Sequence, residues 1–263
     1  MVELKTPGEI DAIAAAGAVV ASVHAAVRAH AAAGVSLIEL DAVARDVMAG
    51  AGAVSSFLGY QPRFAPSPYP AVLCTSVNDV MLHGIPTTYR LRDGDLLSVD
   101  CGASVDGWHG DAAVSYVVGT ASSADEKLIT ATEATLMAGI EAAQPGARMG
   151  DIGHAMSTVG RGAGYGMQAD FGGHGVGRAM HEDPFVPNEG TPGKGWQLRP
   201  GLVIAIEPSL IASGDDTYRI APDGWSLCTA DGSNGAHAEH TIAVTEDGPR
   251  ILTGGDYRSG PES

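Results

Sequence analysis

Cysteine is scarce. The chain has three (Cys74, Cys101, Cys228) in 263 residues, an odd number without a Cys-x-x-Cys pair. That excludes a disulfide framework and a structural zinc knuckle, and leaves three small buried hydrophobes. A leader pattern is also missing from Met1-Val2-Glu3-Leu4-Lys5, and no apolar run reaches the roughly 18 residues that would span a bilayer. Membrane insertion is therefore not expected, and the cytoplasm is the expected location. Positive charge is the third shortage: 15 Lys and Arg face 31 Asp and Glu, for a formal charge of −16. Such a balance argues against nucleic acid or an anionic membrane as partner and tolerates a cationic one, such as a free peptide amino group.

What is present is a core and a repeat. Hydrophobic residues make up 44%, enough for one large domain. Thr6-Pro7-Gly8-Glu9 has capping-box spacing with proline in the first turn, and predicts a helix to about His30. Ser36-Leu37-Ile38-Glu39 predicts a second, ending near Gly50 or Gly52. A segment rich in proline and aromatics from Tyr60 to Pro70 reads as an irregular excursion. Strands are expected near 71–77, 94–102 and 110–118, and Ser123-Ala124-Asp125-Glu126 reads as a third capping box. The pattern then begins again, with Gly146-Ala147-Arg148-Met149-Gly150-Asp151 standing where Gly34-Val35-Ser36-Leu37-Ile38-Glu39 stood. Leu91-Arg92-Asp93-Gly94 returns as Leu198-Arg199-Pro200-Gly201. Two halves, about 1–119 and 123–252, predict one pseudo-symmetric α+β domain with a curved, mainly antiparallel sheet, followed by a loose tail over 253–263.

Each copy of the repeated strand ends in a carboxylate, Asp100 in the first and Glu207 in the second. Asp106-Gly107 is a two-residue hairpin signal. If it forms the turn, Asp111 lies opposite Gly102 and is the diagonal neighbour of Asp100 on one face. Glu207 and Glu239 repeat the arrangement. Four acids aimed into one place demand a cation or protons. Neutral imidazoles from His174 and His181, beside glycine-rich turns, suit the same shell. His24, His30 and His154 fall on helices and read as exposed or core-satisfied, while Asp95, Asp106 and Asp223 beside glycines read as solvated turn residues.

In order along the chain stand Cys74-Thr75-Ser76-Val77-Asn78-Asp79, His83-Gly84-Ile85-Pro86, Asp100 with Asp111, Gly173-His174-Gly175-Val176-Gly177, His181-Glu182-Asp183-Pro184, Ile206-Glu207-Pro208 and Glu239-His240-Thr241. Together they resemble the type I methionine aminopeptidases of the pita-bread fold, in the short bacterial form without an amino-terminal zinc-finger extension. The resemblance implies two divalent ions (cobalt, manganese, iron or zinc), with Asp111 and Glu239 bridging, Asp100 completing one shell, and His174 with Glu207 completing the other. It implies hydrolysis of the first peptide bond by an activated water, with Glu207 as proton shuttle, His181 stabilising the tetrahedral intermediate and His83 positioning the amide. Tyr60, Tyr69, Cys74, Met180 and Trp225 are implied as walls of a methionine pocket, with Phe64 as an alternative to Tyr69. The gap between Tyr60 and Tyr69 is longer than is usual in that family and is stiffened by Pro62, Pro66 and Pro68, so residues 61–68 are expected to form a lip beside the pocket. Expected partners are peptides and nascent chains that begin with methionine, with transient ribosome contact and a monomeric enzyme. Two competing readings share the fold: an Xaa-Pro peptidase of the prolidase type, and a non-catalytic binding protein.

Overall fold

A computed structural model describes residues 2–254 apart from residue 64. Helix α1 (Pro7–His30) starts at Thr6 and α2 (Leu37–Gly50) at Ser36, and both capping boxes close, with Glu9 and Glu39 reaching back to the cap backbone. Helix α3 (Ser123–Ala142) starts one residue earlier than the spacing suggested. Ser122 is the cap, and its hydroxyl takes the Asp125 N–H at 3.1 Å. Helix α4 (Met149–Gly162) follows Arg148, whose backbone N–H is held by the Asp151 carboxylate at 2.7 Å. The same acid-to-cap bond that Glu39 makes in α2 therefore recurs in the second half.

The strands form a nine-stranded sheet, and every pairing in it is antiparallel. From one edge its order runs Val54–Ser55, Leu96–Val105, Trp108–Val117, Glu239–Thr245, Val203–Ile206, Gly173–Gly175, Glu182–Val186. Cys74–Val77 also pairs with Leu96–Val105, and Gly248–Ile251 with Glu239–Thr245. The halves meet where Trp108–Val117 pairs with Glu239–Thr245, as a pseudo-twofold requires. The duplication is visible bond by bond. Gly34 donates to Leu91 O at 2.7 Å and Gly146 to Leu198 O at 2.8 Å; Gly94 donates to Val118 O at 2.8 Å and Gly201 to Val244 O at 2.9 Å. Gly94 and Gly201 hold φ of 89° and 95°, a left-handed conformation that makes glycine the residue repeated there.

Strand alternation separates core from site. Leu97, Val99, Cys101 and Ala103 pack beneath Val20, Val23 and Val27 of α1 and Leu40 and Ala44 of α2. Ile204, Ile206, Ile242 and Val244 pack beneath Leu136 and Ile140 of α3 and Ile152 and Met156 of α4. The residues between them, Ser98, Asp100 and Gly102, turn to the opposite face.

Three expectations change. Helix α1 is long and apolar enough to cross a membrane, contrary to the reading that no such run exists, because alanines and glycine count as apolar alongside few charges. It packs on the sheet instead, with Ile13, Ala16, Val20, Val23 and Val27 fully buried. Thr253, assigned to the tail, is also buried, and its hydroxyl lies 2.9 Å from His240 Nδ1; the rest of the expected tail, from 255 on, lies outside the described residues. Asp95 is no solvated turn residue. It is buried and accepts from Asn78 Nδ2 at 2.9 Å, Tyr89 Oη at 2.8 Å and Arg92 N at 2.8 Å. Asp106 and Asp223 are exposed, as expected of turn residues. Because Asp95→Ala strands three donors, it should lower unfolding free energy by about 2–4 kcal/mol in urea titration. A loss below about 0.5 kcal/mol, the range of ordinary surface substitutions, would contradict the anchoring role.

Candidate metal centre and substrate pocket

The Asp106-Gly107 turn forms with φ of 50° and 75°, and sets Val105 opposite Trp108. Asp111 then falls opposite Gly102, and Ala113 sits between Asp100 on one neighbouring strand and Glu239 on the other. Asp100, Asp111 and Glu239 therefore share a face on three adjacent strands. Ile206 pairs with His240, so Glu207, one residue beyond, reaches the same region from the fourth. Thr241 ties the seam, since its hydroxyl donates to Asp111 O at 2.8 Å and accepts from Asp111 N at 2.9 Å.

His174 completes the cluster. Its Nδ1 lies 2.9 Å from Gly175 O, which fixes Nδ1 as the donor and leaves the Nε2 lone pair directed at the acids. Nε2 stands 3.6 Å from Glu207 Oε1 and 3.8 Å from Asp111 Oδ2. Donor atoms of Asp111, His174 and Glu239 lie within 4.8 Å of one another, the only such buried trio of ligating residues among those described. Asp100 Oδ1, Asp111 Oδ1 and Glu239 Oε1 are buried without a hydrogen-bond partner. Oxygen-rich, partnerless and convergent, this donor set fits divalent metal.

Electrostatics point the same way. Burial, reinforced by neighbouring carboxylates, pushes Asp100 and Glu239 well above the usual range. Burial raises Asp111 to about 7, and burial with the Asp111 charge raises Glu207 to about 8. Burial also holds the imidazoles neutral, lowering His83 and His174 to about 4 and His181 to about 3. Without added positive charge the acids cannot all ionise.

Above this floor lies a cleft of about 620 Å³, lined by all the residues assigned from the sequence: Tyr60, Tyr69, Cys74, His83, Met180, His181 and Trp225, together with the five candidate ligands. His181 stacks on Tyr60 (4.9 Å between ring centres) and lies tilted by 35° against His174 (4.0 Å). His83, at φ 56°, meets Phe171 and Trp225 edge-on. Tyr69 is buried between Phe57 and Trp225, with its hydroxyl 3.0 Å from Leu73 O and Gly84 O. The proline-rich excursion borders the cleft: Pro62 lines it, and Trp225 Nε1 donates to Ser67 O at 3.1 Å. Phe64, the alternative to Tyr69, lies outside the described residues.

Several residues escaped the sequence reading. Phe57, Phe171, Phe185, Tyr218 and Ile220 line the cleft; Phe57 and Phe171 are isolated in loops, and the other three sit in short strands, with no local pattern that reveals this. His237 had a signal: it stands two residues before Glu239, a spacing that shares a strand face, and its buried Nε2 lies 4.0 Å from Glu207 Oε2.

Comparisons with known proteins agree with this geometry. The profile of metallopeptidase family M24 matches residues 11–246. A methionine aminopeptidase 1 of Mycobacterium tuberculosis is 51% identical over 260 residues, covering 96% of this chain and 95% of that protein. The crystal structure of a methionine aminopeptidase from Thermotoga maritima superposes with TM-score 0.92 at 38% identity, covering 97% of this chain and all of that one. A Pyrococcus furiosus prolidase reaches TM-score 0.74 at 22% identity, over 96% of this chain and 66% of its own, and shares the fold alone. The chain belongs to metallopeptidase family M24 and has its pita-bread fold.

Proposed function

We propose that this protein is a methionine aminopeptidase, a metal-dependent hydrolase that removes the amino-terminal methionine from peptides and nascent chains whose second residue is small. The observation that carries the reading is the joining of two features in one cleft: a floor of two buried carboxylates (Asp111, Glu239), two partly buried ones (Asp100, Glu207) and His174, and a wall of Phe57, Tyr60, Tyr69, Cys74, Met180 and Trp225. A long, unbranched apolar side chain suits that wall, and the thioether of Met180 is a polarizable surface that adapts to it. Met180 Cε and Phe57 approach so closely that a Cβ on Gly102 would lie 3.0 and 2.9 Å from them, which bounds the pocket.

Asp100, Asp111, His174, Glu207 and Glu239 would hold two divalent ions, with Asp111 and Glu239 shared between them. Bound there, such ions supply an acidified water and an electrophile for the substrate carbonyl and amine. The chain's own residues do the rest. Glu207, with both oxygens facing imidazoles, takes the proton of the attacking water and delivers it to the departing amine. His181, exposed at the cleft but kept neutral by local desolvation and the neighbouring imidazoles, donates its ring N–H to the oxyanion that develops on the carbonyl. His83, held between Phe171 and Trp225, positions the scissile amide. The stack of Tyr60 on His181 screens the reacting bond from water.

Metal-loaded protein incubated with Met-Ala-Ser should release free methionine, whereas Ala-Pro peptides should stay intact. Cleavage of only the proline substrates would favour the prolidase reading, and cleavage of neither would favour a binding protein. His181→Ala should lower kcat by about 100- to 1,000-fold, the effect of removing one oxyanion donor, with metal content unchanged by elemental analysis. Loss of metal in that variant would make His181 a ligand and remove the role assigned to it.

A further inference from the structure

The loop that carries Met180 and His181 is tied down by a residue far away in sequence. Lys5 precedes α1, yet its side chain is only 3% exposed. Its ammonium lies 2.8 Å from Glu182 Oε2 and 3.1 Å from Glu3 Oε2. The other oxygen of Glu182, Oε1, accepts the Ala179 N–H at 3.0 Å. One carboxylate thus closes the turn 179–182 from within and fastens it to the segment before α1. Gly177 leaves room for this arrangement: a Cβ there would stand 2.5 Å from Glu182 Oε1 and 2.6 Å from Lys5 Nζ and would push these side-chain ends aside.

The same segment reaches the second arm of the site. Lys5 N donates to Gly201 O at 2.6 Å, and Gly201 opens the turn into Val203–Ile206, whose next residue is Glu207. Other fastenings hold the base of the loop: His109 N donates to Gly177 O at 3.0 Å, Arg178 Nη1 donates to Asp106 O at 2.7 Å, and the Arg178 guanidinium lies 4.0 Å over the Trp108 ring. Those three grip residues 177 and 178. The Lys5–Glu182 contact grips the far end, directly beside His181.

We propose that the largely buried Lys5–Glu182 ion pair is a positioning device for His181, holding its imidazole stacked on Tyr60 and against His174 where it can meet the substrate. A buried ion pair adds little stability compared with apolar residues of the same shape, so its use lies in geometry. The inference rests on the role given to His181 above. Neither Lys5 nor Glu182 lines the cleft, so both act through their neighbour.

The test is a double-mutant cycle on metal-loaded enzyme with Met-Ala-Ser. Lys5→Met removes the ammonium and keeps most of the stem. Lys5→Met/Glu182→Gln removes both charges, which avoids an unpaired buried carboxylate and keeps the test open if the single variant does not fold. Each should lower kcat by about 10- to 100-fold, the effect of misplacing a catalytic group by about an ångström, with metal content unchanged. In a His181→Ala background the same changes should alter kcat less than about twofold, because residues acting as a unit are not additive. An equal fall in both backgrounds, or parental kcat in the folded ion-pair variants, would overturn the proposal. An inert His181→Ala would overturn the role of His181 instead, so the two failures are distinguishable.

Discussion

The architecture answers one electrostatic demand: Asp100, Asp111, Glu207 and Glu239 are buried together, and their mutual repulsion in a low-dielectric site must be offset by positive charge or bound protons. Two helix pairs and an all-antiparallel sheet supply the rigidity to hold that arrangement. A single strand pair could bring only two acids to one face. Duplication brings a second pair to the same place, across the seam where Ala113 lies beside Glu239. The seam is fixed by Thr241, whose hydroxyl spans to the Asp111 backbone in both directions.

The repeat explains why so much of the fold was legible in the chain. Acid-to-cap bonds in α2 and α4, the paired glycines at 94 and 201, and the hairpin at Asp106-Gly107 are all local devices whose chemistry is written in a few adjacent residues. From that hairpin the register follows, and with it the position of Asp111 opposite Gly102. The apolar length of α1 was passed over in the sequence; composition alone does not separate such a core helix from a membrane span, whereas its packing against the sheet does. Asp95 misled because nothing local reveals that Asn78 and Tyr89 converge on it.

The candidate site was legible in its acids and glycine-flanked histidines, and less so in its walls. Carboxylates on the inner face of adjacent apolar strands declare themselves, since their burial has no other rationale. Phe57, Phe171 and Tyr218 do not, because an aromatic in a loop or a three-residue strand becomes a pocket wall only through distant contacts. Lys5 is the extreme case. A lysine near the first helix reads as solvated, and only the fold places its ammonium against Glu182, 177 positions away.

The most direct measurement is the unfolding midpoint of chelator-stripped protein between pH 5 and 9, with and without manganese. Asp111 and Glu207 ordinarily titrate near 3.8 and 4.5, and burial raises them to about 7 and about 8 in the folded chain. The stripped fold therefore holds protons that the unfolded chain has released, but below about pH 7 the imidazoles of His24, His83, His174, His181 and His237, whose pKa values burial lowers, act in the opposite direction; above about pH 7 the acids dominate and stability falls as pH rises. Bound metal replaces those protons, so the midpoint should drop from pH 7 to pH 9 in stripped protein and be restored by manganese, most strongly at the alkaline end. A stripped protein whose midpoint holds level across this range and does not respond to the ion would contradict the assignment of these four acids as a cation site.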